Sequence, residues 1–364
     1  MITPLMPLEG IDDWERRLAR QDAFWECAIL DRPVVCMTIP KETSERPRPT
    51  HRSHTSYPSY KDWWFDTDRV VEEAVARVAN ADFFGDALPY AWPNLGPELF
   101  SAFFGMEMDY SADSGWGIPN LANWSQVHSF RFSGENPYWR KLVQMTDALL
   151  AAARGRFYVG ITDLHPGGDA IAAFRDPTRL NLDLLERPEE VKALLGTVNQ
   201  TYFYVYDFFY NKLASAGQAV ASWPGIVSTK KWYVPSNDFS CMISEAAFEE
   251  FFLPGIIEEC RHLEASIYHL DGPNALRHLD QLLEINELNA IQWVYGAGHG
   301  RATDWLHVYQ RCQAAGKGVQ ILAEADELDT IMRQLRPEGV WLSVSGIKNR
   351  TEAEAVLRQA AKWR

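Results

Sequence analysis

Short apolar runs alternate along this chain with longer stretches of helical periodicity, and that alternation predicts a mixed α/β protein. Trp14, Leu18, Phe24 and Trp25 predict an amphipathic helix over residues 11–26, followed by a buried strand at Val34-Val35-Cys36-Met37. Helical spacing returns from Val70 to Val78, and Phe83-Phe84 marks a further short strand. Residues 41–60 are rich in Pro, Ser, Thr and His and read as a long loop. Residues 87–135 carry many Gly, Pro and Trp, which predicts an irregular, cap-like excursion with room for a small hairpin.

The pattern is more regular beyond residue 138. A helix over 138–154 precedes a strand at Phe157–Gly160, and a long helix spans Pro188 to Ser215. Strands follow near 217–221 and 230–234, then a helix with Ser244 at its N-cap and another after Pro254. After a strand over Ala265–Tyr268, helical stretches at 275–283, 303–315 and 326–335 each precede an apolar run: Ala290–Trp293, Val319–Leu322 and Val340–Ser343. A helix over 352–362 closes the chain. Roughly eight strand–helix units favour a parallel (β/α)8 TIM barrel over a doubly wound sheet. The expected organisation is one barrel domain over 1–364, elaborated at its N-terminus and mouth loops.

Composition narrows the partners. The formal net charge is -14, and no dense Lys/Arg stripe marks a nucleic-acid or anionic membrane surface. No long apolar span predicts a membrane segment. Five scattered cysteines without a C-x-x-C motif suit a reducing, cytoplasmic setting. Neither a G-x-G-x-x-G nor a P-loop motif is present, so no nucleotide cofactor is expected.

The richest chemistry lies in Ser266-Ile-Tyr-His269-Leu-Asp271-Gly272-Pro273. A buried strand ends there in an H-x-D pair, and Gly-Pro turns the chain. Residues i and i+2 of a strand face the same side. His269 and Asp271 are therefore expected to project together at the strand's C-terminal end, where parallel α/β folds place their chemistry. An imidazole and a carboxylate can hold a metal, bind a polar substrate or move a proton. The plain structural alternative is a strand-end histidine bonded to a neighbouring turn. Other strand-end candidates are Asp163 and His165 in Asp163-Leu-His165-Pro-Gly-Gly168, together with Gln292, Asp238 and Asp86. Gln292 can bind substrate or orient His269, while Trp223, Trp232 and Trp293 can wall a mouth for a cationic, flat or polyol ligand. The expectation is that His269, Asp271, Asp163, His165, Asp86 and Gln292 meet in one pocket.

The order of the segments resembles the uroporphyrinogen decarboxylase superfamily, which also contains zinc-dependent methyltransferases acting with corrinoid proteins. The resemblance is carried by Asp31-Arg-Pro-Val-Val, Phe84-Gly-Asp86-Ala-Leu88, Val159-Gly-Ile-Thr-Asp163-Leu-His-Pro-Gly-Gly and Ala221-Ser222-Trp223-Pro-Gly225. It continues through Ile243-Ser244, Phe248, Pro254, Tyr268-His-Leu-Asp-Gly272, Ala315-Gly-Lys317 and Trp341 to Ile347. It implies a barrel with a deep pocket at the strand C-termini. Asp86 looks matched to the family aspartate that orients pyrrole N–H groups, and Ser222 to the family serine. The arginine-bearing segment that grips porphyrinogen carboxylates reads Cys36-Met-Thr-Ile-Pro-Lys41 here. Phe174 stands for a family tyrosine, and Ser345 for a late histidine.

The methyltransferase branch uses His-x-Cys and a later cysteine as zinc ligands. Here His269 and Asp271 stand at that strand, a third ligand being available from Glu324, Asp238 or His165. A divalent metal such as zinc is the cofactor this set suits. Asp163-Leu-His165-Pro-Gly-Gly168 also matches the D-x-H-x-x-G motif of corrinoid-binding domains, but the other elements of such a domain are not evident. A corrinoid is therefore expected only through a separate partner protein.

The functional expectation is methyl transfer or demethylation of a small substrate, with His269, Asp271, Asp86 and Asp163 as catalytic candidates. His165, Ser222, Trp223, Trp232, Asp238, Gln292 and Trp293 are the substrate-binding candidates. Decarboxylation of a small or tetrapyrrole-like acid is the alternative; a carbohydrate-active barrel and a non-catalytic small-molecule binder are further ones. A homodimer is compatible with any of these.

Overall fold

The computed structural model describes residues 4–41 and 53–364. Much of the loop expected over 41–60 lies outside them. Thirteen short strands alternate with helices, and the central sheet has seven of those strands.

The strands are β1 (Val34–Pro40), β2 (Ala81–Gly85), β3 (Tyr90–Ala91), β4 (Met108–Tyr110) and β5 (Gly115–Gly117). They continue with β6 (Tyr158–Val159), β7 (Val220–Ala221), β8 (Val227–Ser228) and β9 (Trp232–Tyr233). The last four are β10 (Ala265–Asp271), β11 (Ala290–Val294), β12 (Gly318–Glu324) and β13 (Val340–Ser345). Neighbours in the central sheet run β2-β1-β13-β12-β11-β10-β9. Every pairing in it is parallel except β1 with β2.

The β10–β13 strands are buried on both faces and read as near-continuous apolar runs, as parallel strands covered by helices must. Trp293 and Trp341 are fully buried on these strands, as is Trp232 on β9. The helix Pro188–Ser215 starts with proline in its first turn and buries Val191, Leu195, Tyr202, Tyr206 and Phe209 along one side. Ser244 caps its helix by accepting from the Ala247 N–H.

The ladders do not close into a ring. β3 pairs with β6 and β7 with β8, apart from the main sheet. Between β6 and β7 a backbone hydrogen bond, Ile161 N–H to Ala221 O, stands in place of a ladder. The irregularity has local causes. Pro89 and Pro93 bracket β3 and cannot donate to a ladder. A Cβ at Gly160 would lie 2.8 Å from Ala221 O, so only glycine allows that approach.

Within 87–135 the chain forms the β4–β5 hairpin and the short helix Leu99–Ala102. All five cysteines are unpaired. Among the described residues no helix is long and apolar enough to cross a membrane.

Candidate functional site

β10 is buried from Ala265 to Tyr268, and then only Leu270 of its last three residues stays buried. His269 and Asp271 are half-buried on the same side, as strand alternation requires. Gly272 follows at φ +79, a conformation that favours glycine, and its N–H donates to Val294 O. Beside this strand end runs the segment after β9: His269 N–H donates to Pro235 O, and Ser236 bridges to His269 in parallel. That run delivers Asp238. The Asp238 and Phe239 N–H groups both donate to the Asp169 carboxylate, at 3.0 and 2.8 Å. Asp169 lies in the first turn of the helix Gly167–Arg175, just after His165.

Hydrogen bonding assigns the state of His269. Its Nδ1 lies 2.6 Å from Gln292 Oε1. Gln292 Nε2 donates to Gln320 Oε1 at 2.7 Å, and Gln320 Nε2 donates to Pro224 O at 2.9 Å. A carbonyl can only accept, so the Pro224 end orients both amides. Gln292 Oε1 is thus an acceptor, and His269 Nδ1 must carry the proton. Nε2 is left with its lone pair. Burial pushes the His269 pKa below its ordinary value, only partly countered by the Gln292 bond, which keeps the ring neutral. The Trp223 ring stands edge-on to the imidazole, centroids 4.9 Å apart.

His165 is in the opposite state. Its Nε2 lies 2.9 Å from Asp163, while its Nδ1 lies 3.0 Å from Ser236 Oγ and 3.5 Å from Asp169. Burial alone would lower its pKa, but the Asp163 and Asp169 carboxylates outweigh that and hold it well above the ordinary value. Its surface exposure notwithstanding, Asp238 is pushed up to about 7, by desolvation and by repulsion from Asp169 and Asp271.

Two groups of side chains are close enough to share a cation, with ligand atoms within 4.8 Å of one another: His165–Asp169–Asp238 and Asp238–His269–Asp271. An imidazolium has no lone pair, which removes the first while His165 stays charged. In the second, one neutral nitrogen and two carboxylates match a divalent cation in both donor type and charge. A cavity of about 420 Å³, lined by Glu98, Trp116, His165, Asp169, Asp238 and Phe239, adjoins the group. A second, of about 610 Å³, is lined by Cys36, Thr38, Gly225, Tyr295, Leu322 and Ser343.

His269, Asp271, Asp163, His165, Asp238, Gln292 and Trp223 therefore come together. Asp86 does not. Its carboxylate accepts from the Val35 N–H at the beginning of β1 and pairs with Arg20 and Arg32 at 3.0 and 2.5 Å, whereas His269 is at the end of β10. Asp86 follows the antiparallel β2, which carries it back to the start of β1; the expectation that it shares the pocket is corrected. Trp232 and Trp293 do not wall the mouth either, since both are fully buried. Trp232 Nε1 donates to Val220 O, and Trp293 packs on Trp305. Ser222 is buried too, its hydroxyl donating to Ile161 O. Glu324 does not supply the third ligand of this group; it contacts Arg301.

Gln320, Asp169 and Ser236 are members the sequence reading passed over. Gln320 had a signal, an amide inside the apolar run Val319-Gln-Ile-Leu. Asp169 stands four residues after His165, a helical spacing. Ser236 had none, because only tertiary pairing brings it to His165.

No family model matches the sequence, and no curated protein is similar to it. A solved structure with the same fold is a methyltransferase from Methanosarcina mazei. It superposes with a TM-score of 0.60 over 95% of this chain and 98% of that one, at 10% sequence identity. At that identity the likeness concerns the fold.

Proposed function

We propose that the protein is a methyltransferase of the uroporphyrinogen decarboxylase-like type, on a (β/α)8-like barrel whose mouth carries the Asp238–His269–Asp271 group. The observation that carries this reading is the convergence of His269, Asp238 and Asp271, with His269 Nδ1 turned to the Gln292–Gln320–Pro224 chain and Nε2 left as the ring's other nitrogen. These three side chains would hold a divalent cation such as zinc. Such a cation supplies Lewis acidity that lowers the pKa of a substrate thiol or hydroxyl.

The protein's own groups have separable roles. His269 contributes a neutral donor whose orientation is set two strands away. Asp271 and, once its proton is displaced, Asp238 would supply two negative charges that balance the dication. His165, between Asp163 and Asp169, offsets the repulsion among the carboxylates. Trp223 covers one edge of the imidazole and limits water there. Replacing thiolate ligands by carboxylates passes less electron density to the cation and leaves it the stronger Lewis acid. The substrate is a small methyl donor or acceptor, and a separate corrinoid protein exchanges the methyl group.

Calorimetric titration of metal-stripped protein with Zn²⁺ or Mn²⁺ tests this. One site per chain is expected, lost in His269→Ala and weakened about 10–100-fold in Gln292→Leu, the usual range for a partner that orients a ligand. Identical isotherms for wild type and His269→Ala would refute the assignment. Methyl transfer from a candidate substrate to an added corrinoid protein, followed by the corrinoid absorbance, tests the reaction itself.

A further inference from the structure

Behind the His165–Asp169 pair lies a concentration of buried polar atoms with no use in the mechanism above. Asn199 Oδ1, Tyr202 Oη, both amide atoms of Asn237, Glu259 Oε2 and Tyr268 Oη all lack a hydrogen-bond partner. They account for six of the fourteen such side-chain atoms among the described residues. All five residues are at least nine-tenths buried, Glu259 at 2% exposure. Leaving a buried polar atom unpaired costs about 1–3 kcal/mol, so six in one neighbourhood call for a common partner.

Three elements bring them together. Asn199 and Tyr202 are three apart on the helix Pro188–Ser215 and share a face. Gly255 and Glu259 are four apart on the helix Leu253–His262 and do the same. A Cβ at Gly255 would fall 2.3 Å from Asn199 Nδ2, so the two faces meet. At the start of the helix Gly167–Arg175, a Cβ on Gly168 would fall 2.5 Å from Asn237 Oδ1, and one on Gly167 3.9 Å from Asn199 Oδ1. Tyr268 precedes His269 on β10 and faces the other side of the strand, towards these helices. The charges facing Glu259 are Asp169, His165 and Glu258, and Glu259 itself acts on Tyr202 and Tyr268. Glu259 has no ion pair among the described residues. Burial raises its pKa well above the ordinary value, and Asp169 adds to this.

We propose that Asn199, Tyr202, Asn237, Glu259 and Tyr268 enclose an internal hydrated site, in which ordered water is the common partner of the Glu259 carboxyl group and of the other four side chains. Amide, hydroxyl and carboxyl groups supply more than the two to four partners a buried water needs. The proposal is independent of the substrate and of the cation at His269.

Infrared spectroscopy of the full-length protein tests it. The wild-type-minus-Glu259→Gln difference spectrum at pH 7 is expected to show a protonated-carboxyl C=O band, shifted by D₂O, and a band that Asp238→Asn removes is assigned to Asp238, which is pushed up to about 7. Glu259→Gln is nearly isosteric, so thermal unfolding near the wild-type value would show that it folds. A crystal structure is expected to place water against at least three of the five residues. The proposal is overturned if that difference spectrum holds no such band, or if the five side chains pair directly or around an ion. Should Glu259→Gln fail to fold, a wild-type band that survives Asp238→Asn and the wild-type water structure still decide. Zn²⁺ binding measured on the same variant separates this outcome from failure of the metal reading: it is expected to be retained whichever way the infrared result falls.

Discussion

At the scale of single residues, two histidines in one mouth are held in opposite protonation states. His269 gains a neutral acceptor at Nδ1 and is desolvated; His165 is flanked by carboxylates. Titration of ¹⁵N-histidine-labelled protein is expected to show His165 remaining imidazolium to higher pH than an ordinary histidine, and His269 remaining the Nδ1-protonated neutral ring to lower pH. The signs for stability follow. The folded pKa of His165 exceeds its reference value of 6.5, so its stabilisation is complete below that value and fades as the pH rises through the folded one. His269 is lowered from 6.5, so its neutral state favours folding at higher pH, and that contribution is lost as the pH falls. A His165 that titrates below the ordinary histidine value would be restored as a metal ligand and remove the reason for preferring the His269 group.

His269→Ala is expected to cost only about 1 kcal/mol of stability, the order of one hydrogen bond. Under the proposed function it abolishes methyl transfer. Asp271→Asn is nearly isosteric but loses a negative charge beside the cation, and a severe fall in activity is expected with little change in unfolding. Full activity of both variants with an identified substrate would make the pair structural.

At the scale of elements, Arg20 on the helix Trp14–Phe24 pairs with Asp31, just before β1, and with Asp86, just after β2, and Arg32 pairs with Asp86 as well. Asp86 is fully buried and accepts from Arg20, Arg32 and the Val35 N–H. Removing one charge from such a group leaves the others uncompensated, so Asp86→Asn is expected to destabilise by about 3–5 kcal/mol in urea unfolding. Metal binding by the folded fraction should be intact. A stability loss under about 1 kcal/mol together with lost metal affinity would instead place Asp86 in the chemistry. The hydrogen bond from Arg20 holds Asp31 well below the usual carboxylate range, against a partial desolvation that opposes it. Its stabilisation is present above its reference value of 3.8 and is lost as the pH falls through the folded one.

At the scale of the molecule, the mouth is acidic within a chain of net charge -14. No arginine stands in Cys36-Met-Thr-Ile-Pro-Lys41, and Ser345 donates to Ala323 O at 3.4 Å. A polycarboxylate needs cationic donors there. Purified protein is therefore expected not to convert uroporphyrinogen to coproporphyrinogen, followed by chromatography of the oxidised porphyrins. Efficient conversion would show that another set of residues supplies the grip.

What local pattern controls was legible in the chain. The helix expected over Pro188–Ser215 has those bounds, and the apolar runs at Ala265, Ala290, Val319 and Val340 lie in strands, because periodicity reports burial directly. The projection of His269 and Asp271 to one side follows from strand alternation alone. The β10–β13 strands pair in parallel with sequence neighbours, so their strand ends gather without any long-range knowledge. Distances between segments far apart in sequence were not legible. Whether Asp86 faces His269 depends on β2 running antiparallel to β1, and no residue between them encodes that direction by itself. Trp232 and Trp293 have the composition of a ligand wall, but neighbouring helices and strands cover them. The protonation of His269 depends on Pro224, 45 residues earlier, through two amides on separate strands. A residue's type limits what it can donate or accept; only its tertiary neighbours decide which of those bonds is made, and the lone pair at His269 is the remainder.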